Sequence, residues 1–511
     1  MTEQKNASKR YLLLIAFTSG LTIMAIEICA SRLLAPYFGT STFVWTNIIG
    51  VIMVALALGY YLGGKLADKQ PKFKILLQTI IIACIFLLVI PFLMKPLVEM
   101  VMGNIVIWHS ASTLIFLGSL LSASLLFIFP ILLLGATSPF IIKLLSTLNK
   151  EQIGNDAGLV FSISTVGSIL GTFLPVLIFI PLWGTRKTVI FFSLLLLLVA
   201  LAGFLKNKLF LFLLLLVMPA LIFKMPAIKS VKAVYEDESV YQYFQVVDKN
   251  DLRYLRINEG LGVFSMLNKS GSVLTGEYFD YYNILPYLDG NGKNQDILIL
   301  GLAGGTISTE LNHFFGQNYN LKIDGVELDK KLITTADKYF SLENPSLTVY
   351  NSDGRNFLSL TAKKYNAIVV DVYANQLYIP FHMATKEFFQ AVKNHLADKG
   401  VVAINVNATA PDSKLLKNFI NTLLLVFKNV YCTQETQTSW NYMVIASDFD
   451  LDFSNLESLF KNSELVSVVF KAFINEKQMS YDQNFGYLTD DKAPIENLTD
   501  WMILDYVFKS R

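Results

Sequence analysis

Four positions in the C-terminal half of the sequence combine residue types and a spacing that could hold a nucleoside and accept a proton. They are Gly301, Glu327, Asp353 and Asp371, and each comes at or shortly after the end of an apolar run. Ligands of open α/β sheets bind at the carboxyl ends of the strands, where these four residues would fall. The sequence therefore predicts one nucleoside-binding site built from all four.

The first of these positions opens a glycine turn. The run 297–300 is typical of a buried strand, and Gly301, Gly304 and Gly305 follow it before a predicted helix. Glycines let the backbone approach a ligand closely, and the free amide groups at the start of a helix face that ligand. One glycine turn is weak evidence by itself, so the prediction depends on the acids that follow.

Each acid has a chemical role available. Glu327 ends the second predicted strand, where it could accept hydrogen bonds from both hydroxyl groups of a ribose. Asp353 could accept a hydrogen bond from the amino group of adenine, although a strand-end Asp is often only a helix cap. Asp371 closes the apolar run 367–370 and would face the centre of the pocket, as a base or as the partner of a cation.

An alternation of strands and helices would position these residues. Strands are predicted at 297–300, 322–326, 347–350, 367–370 and 401–405, and helices at 308–315, 330–339 and 385–396. This order predicts a mostly parallel, doubly wound sheet. Before it, two segments of alternating polarity, 241–247 and Leu252–Ile257, predict a small β-hairpin module.

The N-terminal half has the composition of a membrane domain. The chain of 511 residues is 53% hydrophobic and only 16% charged, whereas soluble domains carry about 25% charged residues. A spanning helix needs about 20 mainly apolar residues. Runs of that kind lie at 11–34, 43–66, 75–94, 113–142, 158–183, 188–205 and 209–223. The sequence therefore predicts a helical bundle of about seven spans, of which the last is short.

Basic segments between these runs bear on orientation. The N-terminal tail and the segments 65–74 and 143–150 are rich in Lys and Arg, and the positive-inside rule places all three in the cytoplasm. Seven crossings would then leave the C-terminal half outside. The lysines after the last run and the supply of adenosine cosubstrates favour the inside instead. The side of the membrane stays open, with a preference for the cytoplasm.

Two ionisable residues, Glu27 and Arg32, belong to the first predicted span. Such groups are costly in a membrane unless they pair or line a cavity. They either lie near the end of that helix or mark a polar path through the bundle. Glycines at four-residue spacing, at 59 and 63 and at 167 and 171, predict close helix packing.

Composition also argues against several classes of function. A formal net charge of +2 with no basic stripe gives no case for nucleic-acid binding. Cys29, Cys84 and Cys432 fit neither a disulfide framework nor a metal-binding spacing, and the four histidines are scattered. We therefore expect no metal site.

The C-terminal half resembles the spermidine synthase (polyamine aminopropyltransferase) family, a branch of the class I methyltransferase-like fold. The resemblance runs from about residue 241 to 496 and rests on the glycine turn, Val326-Glu327-Leu328-Asp329, Asp353-Gly354 and Asp371. The segment 489–496 and N-terminal motifs such as Arg32-Leu33-Leu34-Ala35-Pro36 resemble the membrane-fused subgroup. The resemblance implies a transmembrane helical domain over 1–228, a small β-domain over 229–292 and an α/β Rossmann-type domain over 293–511.

The resemblance also implies a role for each candidate residue. Asp371 would be catalytic and help to deprotonate the attacking amine. The donor would contact Gly301, Gly304, Gly305, Glu327, Asp353 and Gly354, and the acceptor would contact Gln242, Tyr281 and Tyr373. The donor would be decarboxylated S-adenosylmethionine, the acceptor an amine such as putrescine, and no metal would take part. The implied partners are the lipid bilayer and a small amine, with no nucleic acid and with room for a homo-oligomer.

The sequence departs from the family pattern at three places. Gly304 stands where the family has an Asp that holds the amine of the donor, and Ala374 stands where it has a second acid. In the small domain, Tyr281-Tyr282-Asn283 stands for the family's Tyr-Gln/His-Glu pattern. Two alternatives therefore stay open beside the aminopropyltransferase. One is an S-adenosylmethionine-dependent methyltransferase acting on an amine or lipid, and the other is a non-catalytic nucleoside- or amine-sensing transporter.

Overall fold

The computed structural model describes residues 8–105, 111–148, 152–204, 227–229, 232–258, 262–288, 292–374, 377–434, 439–451, 453, 464–468 and 476–509. The chain forms two compact units. The first, the helical unit, comprises Met1–Val231 together with Glu238–Tyr243. The second, the α/β unit, comprises Lys232–Asp237 together with Phe244–Arg511.

Long apolar helices make up the helical unit. They are α1 (Lys9–Phe38), α2 (Thr42–Lys69), α3 (Phe73–Ile105), α4 (Ala111–Gly135), α5 (Thr137–Leu148), α6 (Ile153–Leu174), the short α7 (Ile180–Trp183) and α8 (Thr185–Phe204). By length and composition, six stretches of the described chain could cross a membrane. These six coincide with the first six predicted runs, whereas the predicted run 209–223 lies outside the described residues.

Close approach of helix backbones holds this unit together. A Cβ atom on Gly167 would overlap the carbonyl oxygen of Phe17, and one on Gly59 would overlap that of Leu132. Gly63 likewise has no room for a side chain beside Ala136. Small residues are what allow membrane helices to pack at this distance. The predicted close packing at the glycine pairs is therefore present between α1 and α6 and between α2 and the α4–α5 region.

Side-chain contacts place the starts of three helices at one end of the unit. Lys9 at the start of α1 pairs with Asp156 near the start of α6 (2.7 Å). The ring of Tyr11 meets that of Phe73 at the start of α3, and its hydroxyl donates to the Val199 carbonyl oxygen late in α8. We call this end the basic end, because it also carries Arg10 and the Lys-rich segment 65–74.

The opposite end of the helical unit receives the chain that follows α8. The Tyr37 hydroxyl near the end of α1 donates to the Ile228 carbonyl oxygen (3.2 Å), and Lys229 Nζ donates to the Pro36 carbonyl oxygen (2.6 Å). Arg32 donates to the carbonyl oxygen of Ser239 (2.8 Å). We call this end the exit end, since residues 238–243 lead from it into the second unit.

The α/β unit begins with a small antiparallel sheet. Its strands are β1 (Tyr235–Glu238), β2 (Tyr243–Lys249), β3 (Leu252–Ile257) and β4 (Ser265–Asn268), in the order β1-β2-β3-β4. The predicted hairpin is confirmed: Phe244 faces Ile257 and Lys249 faces Leu252 across β2 and β3. A 3₁₀ helix (Tyr278–Ile284) and a short helix α9 (Leu285–Leu288) follow.

A larger sheet of eight strands dominates the α/β unit. The strands are β5 (Asn294–Leu300), β6 (Asn320–Glu327), β7 (Leu347–Asn351), β8 (Tyr365–Val370), β9 (Leu396–Asn407), β10 (Asn429–Gln434), β11 (Asn441–Ser447) and β12 (Lys477–Gln478). Their order is β12-β10-β11-β9-β8-β5-β6-β7. The strands β7, β6, β5, β8 and β9 run parallel, and β11 is antiparallel to β9. The predicted doubly wound, class I methyltransferase-like arrangement is confirmed.

Helices flank this sheet along the chain. They are α10 (Thr306–Phe315), α11 (Lys330–Phe340), α12 (Gly354–Leu360), α13 (Lys386–Asn394), α14 (Lys414–Leu424) and α15 (Ile495–Lys509). Separate apolar clusters fill the two faces of the sheet, one around Leu298 and Ile368 and the other around Ile299 and Val369. Neighbouring residues of one strand thus point to opposite faces, as in a sheet covered on both sides.

Candidate functional site

The carboxyl ends of the parallel strands form one edge that carries all four predicted positions. Leu300 pairs with Val326 on one side and with Val370 on the other, so Gly301 lies between Glu327 and Asp371. Glu327 in turn pairs with Asn351, two residues before Asp353. Neighbouring strands lie about 4.8 Å apart, so the three strand steps from Asp353 to Asp371 cover about 14 Å. The structure thus brings the predicted residues to a single edge.

The glycine turn needs glycine where it meets the next strand. Gly301 has φ of 89°, and a Cβ atom there would overlap the carbonyl oxygen of Asp371. Gly305 has φ of 82° and begins α10. Both positions lie in the left-handed region that side chains other than glycine rarely adopt. The turn therefore brings its backbone directly against the strand end that carries Asp371.

At Gly304 the available space is taken by the small sheet. The Gly304 amide donates to Ser265 Oγ (2.8 Å), and a Cβ atom on Gly304 would lie 2.6 Å from Ser265 Cβ. An acidic side chain at this position would have to displace Ser265. The departure from the family pattern at Gly304 is thus matched by a neighbour that fills its place.

Glu327 is nearly buried and is held by backbone amides. Its Oε2 accepts from the Ala303 amide (3.0 Å) and its Oε1 from the Asp329 amide (2.9 Å). Burial raises its pKa, and these two amides oppose that rise. An ionised carboxylate offers about four acceptor positions, of which the amides use two. Backbone amides therefore hold Glu327 at the carboxyl end of β6.

Asp353 combines a capping contact with a histidine contact. It is the N-cap of α12 and accepts from the Asn356 amide (3.0 Å), and its Oδ2 lies 3.3 Å from His382 Nε2. His382 holds the pKa of Asp353 below its usual range. Gly354 follows directly as the first residue of α12. The capping role considered for Asp353 is present, and its second oxygen faces His382.

The loop that carries His382 is tied to the C-terminal motif. Arg355 forms two hydrogen bonds with Asp490 (2.8 and 2.6 Å) and a third with the His382 carbonyl oxygen (2.9 Å). Thr385 Oγ1 also donates to Asp490 (2.7 Å). Arg355 lowers the pKa of Asp490 to about 2. The motif 489–496 thus supports the edge that carries Asp353 and does not enter the pocket through Asp490.

Asp371 lies in a cluster of aromatic and amide side chains. Its Oδ2 accepts from the Tyr278 hydroxyl (2.9 Å) and its Oδ1 from Asn405 Nδ2 (3.2 Å). Burial raises its pKa to about 6, against the opposing effect of those two hydrogen bonds. Tyr373 lies beside it and donates to the Asn405 carbonyl oxygen (2.9 Å). A carboxyl group with such a pKa can exchange a proton near neutral pH.

Two buried polar atoms beside Asp371 accept or donate no hydrogen bond among the described residues. They are Asn405 Oδ1 and the hydroxyl of Tyr282. The charge of Asp371 helps to raise the pKa of Tyr282, so this ring is close to the carboxylate. Buried polar groups are nearly always satisfied. This pair therefore fits a ligand that carries N–H groups, such as an amine.

Neither Tyr278 nor Asn405 was predicted from the sequence to lie in the site, and the proximity of Tyr282 to Asp371 was not predicted either. Three tyrosines fall within five positions of the 3₁₀ helix Tyr278–Ile284, and only the tertiary fold selects which of them meets Asp371. Tyr281 instead lines a separate hollow with Leu274 and Val468.

Gln242 is the last of the residues predicted to contact the acceptor. Gln242 belongs to the segment Glu238–Tyr243 of the helical unit. Within the described part of the chain, no three His, Cys, Asp or Glu side chains are grouped so that they could hold a metal ion.

Comparison with known proteins identifies the region that carries this edge. Residues 286–455 match the model of the spermine/spermidine synthase domain family. A probable polyamine aminopropyl transferase of Bifidobacterium longum is 35% identical over 282 residues, which cover 52% of this chain and 61% of that protein. A polyamine aminopropyltransferase of Vibrio vulnificus is 28% identical over 284 residues, covering 51% of this chain and 89% of the relative. The chain thus spans less than two thirds of the Bifidobacterium protein.

Among solved structures, a probable spermidine synthase from Corynebacterium glutamicum aligns with a TM-score of 0.42 at 16% sequence identity. The alignment covers 51% of this chain and 97% of that one.

Proposed function

We propose, on the premise that residues 286–455 form a spermine/spermidine synthase domain, that the protein is a membrane-bound aminopropyltransferase. It would transfer the aminopropyl group of decarboxylated S-adenosylmethionine to an amine such as putrescine. The observation that carries this proposal is the cluster around Asp371. There, a carboxyl group with a pKa of about 6 lies beside two buried polar atoms that a ligand amine could satisfy.

Residues of the strand edge would hold the donor. The glycine turn from Gly301 to Gly305 would let the backbone approach the nucleoside, Glu327 would accept from the ribose hydroxyls, and Asp353 would accept from the adenine amino group. The place of Glu327 at the end of β6, where the Ala303 and Asp329 amides hold its carboxylate, supports its part in this arrangement. The sulfonium end of the donor would then point along the edge toward Asp371.

The reaction needs a neutral amine. The amine nitrogen of the acceptor attacks the aminopropyl carbon bonded to the sulfonium sulfur, a new C–N bond forms, and the C–S bond breaks. The electron pair of the C–S bond stays on sulfur, and methylthioadenosine leaves. Asp371 would take the proton that the amine loses, while Tyr278 and Asn405 hold the carboxylate in place. Tyr373, which fixes Asn405 through its carbonyl oxygen, would position that support.

A direct assay tests the proposal. The full-length protein in detergent is incubated with decarboxylated S-adenosylmethionine and a panel of amines of different length, and released methylthioadenosine is measured. We expect amine-dependent release with at least one diamine or triamine. No release with any amine, although the donor binds, would refute the transferase assignment.

The pH dependence follows from the raised pKa of Asp371. Only the ionised carboxylate accepts a proton, so kcat/KM is expected to rise about tenfold per pH unit up to about pH 6 and then level off. Stability changes in the opposite sense. The folded-state pKa lies above the unfolded value, so the contribution of this group to folding is full at low pH and is lost as the pH rises through about 6.

Both trends would be measured as rate profiles and thermal unfolding from about pH 4 to about pH 8, which is about two units on either side of the raised pKa of Asp371. Asp371→Asn is the matched control, because it removes the titration and should flatten the stability trend. A wild-type rate profile that is flat through pH 6 would contradict a proton-accepting Asp371.

A methyltransferase stays the second candidate because of Gly304. Ser265 fills the space beside this glycine, and the turn has no acidic side chain there. Position 304 therefore gives no preference for a donor that lacks a carboxylate. Intact S-adenosylmethionine carries that carboxylate and decarboxylated donor does not. Calorimetric titration with each donor separates the two. Binding of the intact donor at least as tight as that of the decarboxylated one would favour the methyltransferase.

The membrane location is supported by the six long apolar helices. We further propose that residues 238–243 of the helical unit, which precede Phe244–Arg511 of the α/β unit in the chain, lie on the side of the membrane opposite the basic segments. Helix α8 ends near the basic end, where a Cβ atom on Gly203 would overlap the Tyr11 hydroxyl, whereas Ile228 contacts Tyr37 at the exit end. By the positive-inside rule the basic end is cytoplasmic. The exit segment 238–243 would then lie outside, in contrast to the preference for the cytoplasm that the lysines after the last apolar run suggest.

Cysteine labelling tests this orientation. Lys69→Cys lies at the end of α2 and Tyr241→Cys lies in the exit segment, and both side chains are exposed. The three native cysteines are buried and give a low background. With a membrane-impermeant maleimide on intact cells, we expect Tyr241→Cys to react and Lys69→Cys to react only after permeabilisation. Equal reactivity of the two variants would contradict an odd number of crossings between them.

A further inference from the structure

The exit end of the helical unit contains a cavity that the proposed transferase reaction does not use. Its volume is ≈ 240 Å³. Helices α1, α3 and α8 contribute most of its wall, and residues 227–228 and Glu238 complete it. Native protein interiors contain few voids larger than a water molecule. A hollow of this size, bounded by helix ends, therefore needs an explanation.

Charged groups on this wall are mostly cationic. Arg32, Lys95 and Arg186 line the cavity, against a single carboxylate, that of Glu238. Three positive charges and one negative charge leave a net charge of +2 on the wall. The Oε1 atom of Glu238 accepts from the Thr185 amide at the start of α8. Clustered cations at the end of a membrane helix are costly unless an anion accompanies them.

Arg32 is fixed in place by the exit segment. Its two terminal nitrogens donate to the carbonyl oxygens of Ser239 (2.8 Å) and Val240. These two bonds orient the guanidinium group at the cavity wall. This placement decides between the two interpretations of Arg32 in the sequence. The side chain lies near the end of α1 and lines a cavity there.

The rest of the wall is apolar and reaches the outer surface of the bundle. Leu33, Pro36 and Pro91 line the cavity together with Phe92, whose side chain is 40% exposed. In a membrane, an exposed Phe92 faces lipid. The cavity therefore presents cations on one part of its wall and an apolar surface, continuous with the lipid-facing side, on another.

We propose that this cavity binds the anionic phosphate group of a membrane amphiphile. The phosphate would lie among Arg32, Lys95 and Arg186, since guanidinium groups match phosphate oxygens in geometry as well as in charge. The apolar part of the ligand would run along Pro91 and Phe92 toward the lipid. Basic pockets between membrane helices bind anionic headgroups in the same way. The residues of the α/β unit take no part in this site.

Thermal unfolding of the full-length protein in detergent tests the site. The probes are phosphatidylglycerol, phosphatidylcholine with the same acyl chains, and inorganic phosphate. We expect phosphatidylglycerol to raise Tm in a saturable manner and phosphatidylcholine to leave it unchanged. A matching shift with inorganic phosphate would assign the site to a free phosphate in place of a lipid headgroup. Equal shifts with both lipids, or no shift with any probe, would overturn the proposal.

Variants that remove positive charges from the cavity wall test whether phosphatidylglycerol binds in this cavity. The double variant Lys95→Gln/Arg186→Gln should weaken the apparent affinity for phosphatidylglycerol at least tenfold. Lys95→Gln alone, at a half-buried position, should weaken it severalfold and serves if the double variant does not fold. Lys69→Gln/Lys72→Gln removes the same number of charges at the basic end and should change nothing. Unchanged affinity in the folded Lys95→Gln protein would place the lipid elsewhere.

Discussion

Asp371→Asn is expected to lower kcat by a factor of about 10² to 10⁴ while donor binding changes little. A positioned proton acceptor contributes this range in general acid–base catalysis, and the amide has no proton affinity of that kind. The replacement keeps the local structure. Asn Oδ1 can still accept from Asn405, and its Nδ2 can donate to the hydroxyl oxygen of Tyr278. The loss should therefore appear in the chemical step.

The measurement is steady-state release of methylthioadenosine, together with calorimetric titration of the donor. Asp251→Asn, in an exposed turn of the small sheet, controls for the loss of one carboxylate. Tyr278→Phe should reduce the rate less than Asp371→Asn, because it removes a hydrogen bond and leaves the base. An Asp371→Asn enzyme with undiminished turnover would exclude Asp371 as the proton acceptor.

Gly301→Val is expected to abolish donor binding and to destabilise the α/β unit by several kcal/mol. A side chain in the left-handed region costs about 1–2 kcal/mol by itself. In addition, the new Cβ atom would overlap the Asp371 carbonyl oxygen, which is backbone and cannot rotate away. The ends of β5 and β8 would have to separate, and a fixed sheet resists such a change. The substitution is therefore expected to disturb both the turn and the position of Asp371.

Gly292→Ala separates the two contributions. This glycine also has a positive φ, of 70°, but a Cβ atom there would meet nothing within 4 Å. It should therefore lose only the smaller, conformational part, and it should still bind the donor. Thermal unfolding and donor titration of both variants are the measurements. Equal stability of the two variants would show that the contact with Asp371 does not restrict position 301.

The order of elements was predictable because apolar runs and breaks repeat so regularly after residue 293. Strand β8 was predicted at 367–370 and extends over Tyr365–Val370, since Tyr365 is buried by tertiary contacts that periodicity alone does not indicate. Strands β10 and β11 were not predicted. Their pairing with each other and with β9 is antiparallel, and depends on partners distant in sequence.

The candidate site was only partly predictable for the same reason. Gly301, Glu327, Asp353 and Asp371 follow strands, so their common edge follows from the parallel sheet alone. Asn405 ends the predicted strand 401–405 but lies inside the longer strand β9, and its amide side chain alone does not indicate a part in catalysis. Its side chain meets Asp371 only because β9 pairs with β8. Which tyrosine reaches that carboxylate depends on the path of the 3₁₀ helix, and a sequence with several adjacent tyrosines does not reveal it.

The location of the exit end has a consequence for how reactants are distributed between compartments. At the exit end, Tyr37 and Pro36 contact residues 228 and 229, which precede the α/β unit in the chain. Lys9 and Asp156 pair at the basic end. In the orientation proposed above, a transferase would meet its cationic nucleoside donor at the exit end. A donor made at the basic end would then have to cross the bilayer, and its permeation would limit turnover.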